Sequence, residues 1–300
     1  VLLAAGGTFV TFGLPKLVSS VCPPRRLGSM STVYILGSYA GIASAYSVGR
    51  GLLGPALGGW RPTFQLLGGA AVAFVVVWAP VAWWHASRHG TPYGGNGGSD
   101  FSLRSLRSDV TRVFSHRAMR LLVVVGVSYL LLQHGLQGWL PTVLESRGIP
   151  ATTAARIASL FLVGMTVGTI LIPPASDRLN RRSGTVVACG VVTTAGVAGL
   201  AVAGRPLTAT AAVLVVGLGT GGVSPLIRAM PTELEEIGPE LTATAVSLVF
   251  AVGEIGGFVG PLVVGTLHDV TGSFTPGIAA IAVGALAIVA AGIGLPEPGS

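Results

Sequence analysis

Residues 154–203 have the sequence AARIASLFLVGMTVGTILIPPASDRLNRRSGTVVACGVVTTAGVAGLAVA. Two apolar runs, 154–175 and 184–203, flank a short charged segment at 177–182. A helix that crosses a bilayer needs about 20 mainly apolar residues. Gly and Ala recur in both runs, and small residues let helix backbones approach closely in a membrane. The stretch therefore predicts two membrane-spanning helices joined by a charged loop.

The same pattern extends through the whole chain of 300 residues. Hydrophobic residues make up 51% of the sequence and charged residues 10%, whereas a soluble globular domain carries about 25% charged residues. The mean hydropathy is +0.75. This composition excludes a disordered chain, which needs high charge and few apolar residues, and disfavours a water-soluble enzyme. A transmembrane β-barrel would have shorter segments of alternating polarity.

We therefore predict an all-α polytopic membrane protein, made of helical bundles with nine transmembrane helices. The predicted spans are 1–17, 31–57, 62–84, 119–140, 154–175, 184–203, 208–230, 242–266 and 273–294.

Basic residues set the predicted orientation. The net charge is +7, and the basic residues fall in gaps between apolar runs, which favours cytoplasmic loops over nucleic-acid binding. If the first span runs from outside to inside, 13 Lys and Arg residues lie at the inner face and five at the outer face. Because cytoplasmic loops carry an excess of Lys and Arg, we predict a multi-pass protein of the cell (plasma) membrane with a cytoplasmic C-terminus.

Residues 85–118 form the longest polar stretch. It begins with a flexible Gly-rich segment and continues with apolar residues at helical spacing, which predicts an amphipathic helix on the inner membrane surface. A solvated linker is the alternative. The predicted organisation is a partial N-terminal helical bundle at 1–84, a central cytoplasmic loop at 85–118 and a C-terminal six-helix bundle at 119–300. The chain begins at Val1, inside an apolar run, so we expect a truncated chain.

The charged segment carries a family resemblance. Asp177, Arg178, Arg181 and Arg182 resemble the loop motif Gly-x-x-x-Asp-Arg-x-Gly-Arg-Arg of the major facilitator superfamily, with Pro173 and Asn180 in place of two glycines. That family has two six-helix bundles joined by a central cytoplasmic loop. Three spans, a long loop and six spans resemble its helices four to twelve, which implies that the first three helices are missing.

The same segment predicts a cytoplasmic gate. Its arginines can pair with acids on the next cytoplasmic loop, and its acid can cap a neighbouring helix N-terminus. Ordinary positive charge at the inner face is the alternative. The predicted gate consists of Asp177, Arg178, Arg181, Arg182, Glu233 and Glu235, with Glu236 as a further partner.

Two glycine-proline segments extend the resemblance. Residues 54–59 have the sequence GPALGG and resemble the fifth-helix motif of the family's proton-coupled antiporters, although Arg50 occupies one of its glycine positions. Residues 253–261 echo this segment, as expected if the two bundles are repeats. The glycines predict close helix packing and Pro55 a local kink. The predicted packing residues are Gly41, Gly54, Pro55, Gly58, Gly59, Gly260 and Pro261.

Ionisable residues within a span are costly and are functional candidates. Glu254 lies 12 residues into its predicted span, or roughly 18 Å at about 1.5 Å per residue, near the middle of the membrane. We predict that it exchanges a proton during transport, with a structural ion pair as the alternative. Arg50 is a candidate to bind an anionic substrate, with snorkelling to the outer interface as the alternative. Arg228, near an inner helix end, fits snorkelling or a gate contact.

The span at 119–140 also contains candidate binding residues. Gln133 and Gln137 share a helix face, and His134 can bind substrate or relay a proton. The resemblance implies that this seventh helix of the family lines the central cavity. Tyr46 is a further candidate for the cavity. A polar cluster at the outer membrane surface is the alternative for the three residues of the seventh helix.

These features predict a secondary active transporter that works by alternating access and is proton-coupled, for a small anionic solute. The alternatives are a proton-driven efflux pump for hydrophobic cations or drugs, and a non-transporting membrane receptor. The stretch GWLPTVLESRG at 138–148 is similar to the cyanate/nitroimidazole and organic-anion branches of the superfamily. No enzyme, cofactor or metal site is expected, because no nucleotide-binding motif or ligand cluster occurs. The expected partners are the lipid bilayer, a solute and protons or another ion, with the protein acting as a monomer.

Overall fold

The computed structural model describes residues 27–89, 103–234, 237 and 239–297. These residues form helices and short connections, and no strand occurs among them. The chain divides into two compact units, residues 1–100 and 101–300. The predicted span at 1–17 lies outside the described residues.

The first unit contains two helical segments. The first is α-helical over Leu27–Ser44 (α1), π-helical over Ala45–Leu53 and α-helical again over Gly54–Leu57 (α2). The second is the 30-residue helix Trp60–His89 (α3). Gly58 and Gly59 separate the two segments with φ angles of 78° and 143°. Such positive φ values are readily adopted only by glycine, so these two residues produce the turn.

The second unit contains one amphipathic helix and six long helices. The amphipathic helix, Leu103–Ser115 (α4), lies within the predicted central loop. Arg120 donates from Nη1 to the carbonyl oxygens of Phe114 and Ser115, at 2.9 and 2.8 Å, and so caps the end of α4. The long helices are Arg117–Glu145 (α5), Ala151–Leu179 (α6), Arg182–Val202 (α7), Pro206–Glu233 (α8), Pro239–Thr271 (α9) and Thr275–Gly294 (α10).

Seven of the described helices are long and apolar enough to cross a membrane, so the protein is a helical, multi-pass membrane protein. The seven segments are Trp60–Trp84, Arg117–Glu145, Ala151–Leu179, Arg182–Val202, Pro206–Pro231, Thr244–Thr271 and Thr275–Gly294. Each coincides with one of the nine predicted spans. The predicted span at 31–57 is divided among α1, the π-helical stretch and α2 and is not among the seven. The count of nine therefore stays a prediction.

Close helix packing within the second unit depends on glycine. Helices α5 and α9 run side by side, and a Cβ atom at Gly256 or Gly260 would overlap the carbonyl oxygen of Val127 or Leu131. Helices α6 and α8 pack in the same way, with Gly221 against the backbone of Met165. Gly260, predicted as a packing residue, thus lies at a helix contact, and the run GLGTGG at 217–222 lies inside α8.

The core of the second unit is formed by large apolar side chains between the helices. Met119, Leu122 and Leu132 of α5 and Phe161 and Met165 of α6 are fully buried. In contrast, α3 of the first unit exposes large side chains along its length, and its apolar window has no buried residue. An apolar surface of that extent is stable only against lipid or other apolar groups.

Candidate functional site

His134 and Glu254 approach each other across the contact between α5 and α9. The distance from His134 Nδ1 to Glu254 Oε2 is 4.0 Å. The side chain of His134 is 35% exposed and that of Glu254 is 53% exposed, so neither group is buried by the rest of the protein. A protonated imidazole and an ionised carboxylate at this distance attract each other. The two residues, predicted separately as a substrate ligand and a proton carrier, therefore lie together in one site.

Gly257 is the residue that makes room for this pair. A Cβ atom at this position would overlap His134 Nδ1 and would lie 3.0 Å from Glu254 Oε2. The imidazole ring consequently rests against the bare backbone of α9. Sequence reasoning identified the glycine-rich segment but not this role, since only the rotation of α5 against α9 brings the ring to Gly257.

The two predicted glutamines lie beside His134 on α5. Both side chains are half-buried. Gln133 Oε1 is buried and has no hydrogen-bond donor within the part of the chain that the structure describes. Buried polar atoms are nearly always satisfied by protein or ordered water, so this carbonyl is an exception beside His134.

The predicted residues Arg50 and Tyr46 belong to the first unit. Arg50 lies in the π-helical stretch and is exposed, whereas Tyr46 is half-buried. They are four residues apart. π-Helical turns occur frequently at functional sites, which keeps Arg50 among the candidates.

The predicted packing residues of the first unit have different environments. A Cβ atom at Gly41 would meet no atom within 4 Å among the described residues, and one at Gly54 would lie 3.4 Å from the carbonyl oxygen of Gly49. Pro55 occupies the start of α2. Gly58 and Gly59 form the turn described above.

Arg182 joins three helix ends at one end of the second unit. Its Nη2 and Nε donate to the carboxylate of Glu233, at the end of α8, with distances of 2.7, 3.0 and 3.2 Å. Its Nη1 forms an ion pair with Asp177, near the end of α6. The side chains of Arg182 and Glu233 are only 16% and 28% exposed. This group, called here the Arg182 cluster, unites three of the predicted gate residues.

The remaining predicted gate residues are placed differently. Arg178 and Arg181 are exposed at the same helix ends, and Glu235 lies outside the described residues. Asn180, which stands where the family motif has glycine, ends α6 with a φ of 49°. Asn tolerates this left-handed conformation better than most residues, so the departure from the motif preserves the turn.

Glu297 caps the N-terminus of α7, a role that sequence reasoning missed. The backbone N–H groups of Ser183 and Gly184 donate to its carboxylate at 3.2 and 3.0 Å. A carboxylate at a helix N-terminus is stabilised by the unpaired N–H groups and the helix dipole. The only signal in the sequence was an acidic residue after the last apolar run. Asp177, expected to be able to fill such a capping role, binds Arg182 instead.

Arg228 of α8 lies against α9. Its Nη1 donates to the carbonyl oxygen of Ser224 at 2.8 Å and to the Ser224 hydroxyl. Its guanidinium carbon is 4.4 Å from the centre of the Phe250 ring. The side chain is exposed, and the predicted snorkelling or gate contact stays a prediction.

An apolar cavity of about 540 Å³ lies among α6, α7 and α8. Leu171, Ile172 and Val192 are among its lining residues, and Arg181 contributes to its wall. The His134–Glu254 pair is not part of this cavity. Within the described residues no group of His, Cys, Asp and Glu is arranged to hold a metal ion.

Comparison with known proteins identifies relatives that are named as transporters. The sequence matches the model of the Major Facilitator Superfamily over residues 1–261 and again over 140–300. It is 26% identical over 285 residues to an uncharacterized transporter of Bacillus subtilis, covering 94% of this chain and 66% of that protein. It is 28% identical over 289 residues to an Agrobacterium vitis protein named "Putative tartrate transporter", covering 89% of this chain and 62% of that protein.

A third relative is a gallate transporter of Pseudomonas putida, with 30% identity over 136 residues, which cover 43% of this chain and 28% of the relative. The chain spans less than two thirds of the length of these relatives. The family predicted from the loop motif and the span pattern is confirmed by these matches.

Proposed function

The chain belongs to the major facilitator superfamily, and we propose that it forms part of a secondary transporter that carries a small organic anion by alternating access, coupled to protons. The observation that carries this proposal is the His134–Glu254 pair, in which a proton acceptor and a cation-forming group face each other at 4.0 Å. Transporters of this kind bind substrate and coupling ion near the midplane of the bilayer.

The charges of the pair support the proposed proton coupling. When Glu254 is ionised, it attracts a protonated His134. When Glu254 takes up a proton, that attraction is lost, and the imidazolium becomes available to an anionic group of the solute. Binding of the anion and uptake of the proton therefore favour each other, which is the requirement for coupled transport.

The class of solute is proposed from two observations. Arg50 and Arg228 are cationic groups within or near spans, and guanidinium groups bind carboxylates well. Two of the relatives are named for tartrate and gallate, both of which are hydroxylated organic acids. We therefore assign a hydroxylated organic acid as the solute.

We assign the Arg182 cluster to the inner face, where it holds the ends of α6, α7 and α8 together while the bundle moves as a rigid body. The proposed orientation places this cluster and the C-terminus in the cytoplasm, because most basic residues then lie inside. The protein is proposed to act as a monomer in the plasma membrane.

The test uses the full-length protein in proteoliposomes that contain a trapped pH-sensitive dye. Tartrate, gallate and a lipophilic cation are added in turn to wild type, Glu254→Gln and His134→Gln. The matched control is Asp269→Asn. Asp269 is an exposed acid of α9 whose Oδ1 lies 3.7 Å from Nδ1 of His268.

We expect acid-dependent proton movement in wild type and in the control, and its loss in both site variants. Proton movement driven only by the lipophilic cation would contradict anion transport and support drug efflux. Acid uptake without any proton movement would contradict proton coupling, and binding without flux would favour a receptor.

A further inference from the structure

Arg228 carries a permanent charge whose contacts among the described residues are all uncharged. Nη1 is directed to the carbonyl and hydroxyl oxygens of Ser224, and the guanidinium carbon lies over the Phe250 ring, 4.4 Å from its centre. Within the described part of the chain, no carboxylate forms an ion pair with it. Arginine retains its charge at any physiological pH, and charged groups in membrane segments pair with backbone carbonyls or with groups of opposite charge. Of these two kinds of partner, the described residues supply only the carbonyl.

The two contacts fix the guanidinium and leave part of it available. A guanidinium has five N–H donors in a planar fork. Since the described hydrogen bonds use only Nη1, the edge formed by Nε and Nη2 can donate two parallel bonds to one carboxylate. The cation–π contact with Phe250 and the bonds to Ser224 restrict the guanidinium, so less freedom is lost on binding.

The position of Phe250 relates this group to the proposed coupling site. Phe250 and Glu254 are four residues apart on α9 and therefore share a helix face. They lie about 6 Å apart along the helix axis, slightly more than one turn. Phe250 lies nearer to the start of α9, so Arg228 is one turn closer to the inner face than Glu254.

We infer that Arg228 binds the carboxylate of the transported organic acid, with Ser224 and Phe250 holding its guanidinium in place. This inference rests on the proposed function and assigns the carboxylate site within it. A carboxylate bound at Arg228, beside Phe250, lies toward the face of α9 that carries Glu254, and two negative charges on neighbouring turns repel each other. The acid therefore binds more tightly when Glu254 carries a proton, which links substrate affinity to proton uptake.

The test measures binding by the purified full-length protein in a neutral detergent, separately from transport. Titration calorimetry compares gallate with methyl gallate and tartrate with its dimethyl ester, because each ester retains the hydroxyl groups and lacks the ionised carboxylate. The variants are Arg228→Gln and Arg228→Lys. Arg88→Gln is the matched control, since Arg88 is also an exposed arginine stacked on an aromatic ring, at 4.8 Å from Trp84.

We expect wild type and Arg88→Gln to bind at least one of the acids about 10- to 100-fold more tightly than its ester, the range of a charge-assisted hydrogen bond. Arg228→Gln should lose this preference, and Arg228→Lys should retain part of it, because lysine keeps the charge but not the planar fork. The Lys variant also separates loss of binding from loss of folding, which gel filtration monitors.

Three results would overturn the inference. The first is a wild-type protein with no preference for either acid over its ester, and the second is an Arg228→Gln variant that keeps the preference. The third is binding of phosphatidylglycerol that depends on Arg228 and is not displaced by the acids, which would make Arg228 a lipid contact. The proposed function is judged separately by the proton movement of Glu254→Gln, so either proposal can fail while the other stands.

Discussion

Removing the charge of Arg182 should destabilise the second unit more than removing any exposed charge at the same helix ends. Arg182 holds Glu233 through three hydrogen bonds of 2.7–3.2 Å and also binds Asp177. Exposed ion pairs contribute about 0–1 kcal/mol, whereas breaking a buried pair costs about 3–5 kcal/mol. With exposed fractions of 16% and 28%, the pair lies between these limits. We expect Arg182→Gln to lower the free energy of unfolding by about 2 kcal/mol.

The assay is equilibrium unfolding of the full-length protein in mixed detergent micelles, followed by far-UV circular dichroism. Arg178→Gln is the control, since Arg178 lies at the same end and is exposed; its change should stay within about 0.5 kcal/mol. A double-mutant cycle with Glu233→Gln should give a coupling energy of about 1–2 kcal/mol. Equal effects of Arg182→Gln and Arg178→Gln, together with no coupling to Glu233, would refute the assignment of the cluster as a stabilising group.

Three further predictions concern helix packing and helix ends. Gly256→Ala should lower the thermal midpoint of unfolding clearly, because the added Cβ overlaps the backbone of α5. Gly41→Ala should leave the midpoint within error. Equal midpoints for the two variants would contradict the close approach of α5 and α9. Glu297→Gln should cost about 0.3–1 kcal/mol in chemical unfolding at low ionic strength, since it removes a charge from a helix N-terminus, and an unchanged midpoint would argue against the cap. Asn180→Gly should match or exceed the stability of wild type, whereas Asn180→Ala should lower the free energy of unfolding by about 1 kcal/mol. A thermal midpoint higher for the Ala variant than for the Gly variant would contradict the left-handed conformation of residue 180.

The sequence was sufficient to locate the membrane-spanning helices of the described residues. Seven predicted spans coincide with helices, because a run of about 20 apolar residues has few alternatives in a bilayer. The ends were less accurate. The span predicted at 119–140 belongs to a helix that extends over Arg117–Glu145, since backbone hydrogen bonding continues beyond the apolar run. The span at 31–57 was predicted as one element, and its π-helical stretch has no signal in hydropathy.

The candidate site could be predicted only as a set of residue types. Glu254 and His134 stood out because ionisable groups are rare in spans, yet their pairing depends on the glycines that bring α5 and α9 together. Glu297 lies 113 residues from Gly184, and no local pattern relates the two. For Arg228 the sequence suggested snorkelling or a gate contact, and its contact with Phe250 depends on how α8 and α9 cross.

The sequence by itself determined the family, the helical membrane class and the places where charge interrupts the apolar runs, because length, hydropathy and charge act locally along the chain. Only the tertiary structure decided which groups meet: His134 with Glu254, Arg182 with Glu233, and Arg228 with the ring of Phe250. The physical reason is that such pairs depend on the rotation and spacing of whole helices. Those quantities are set by many small contacts distant in sequence, above all where Gly256 and Gly260 allow one backbone to touch another.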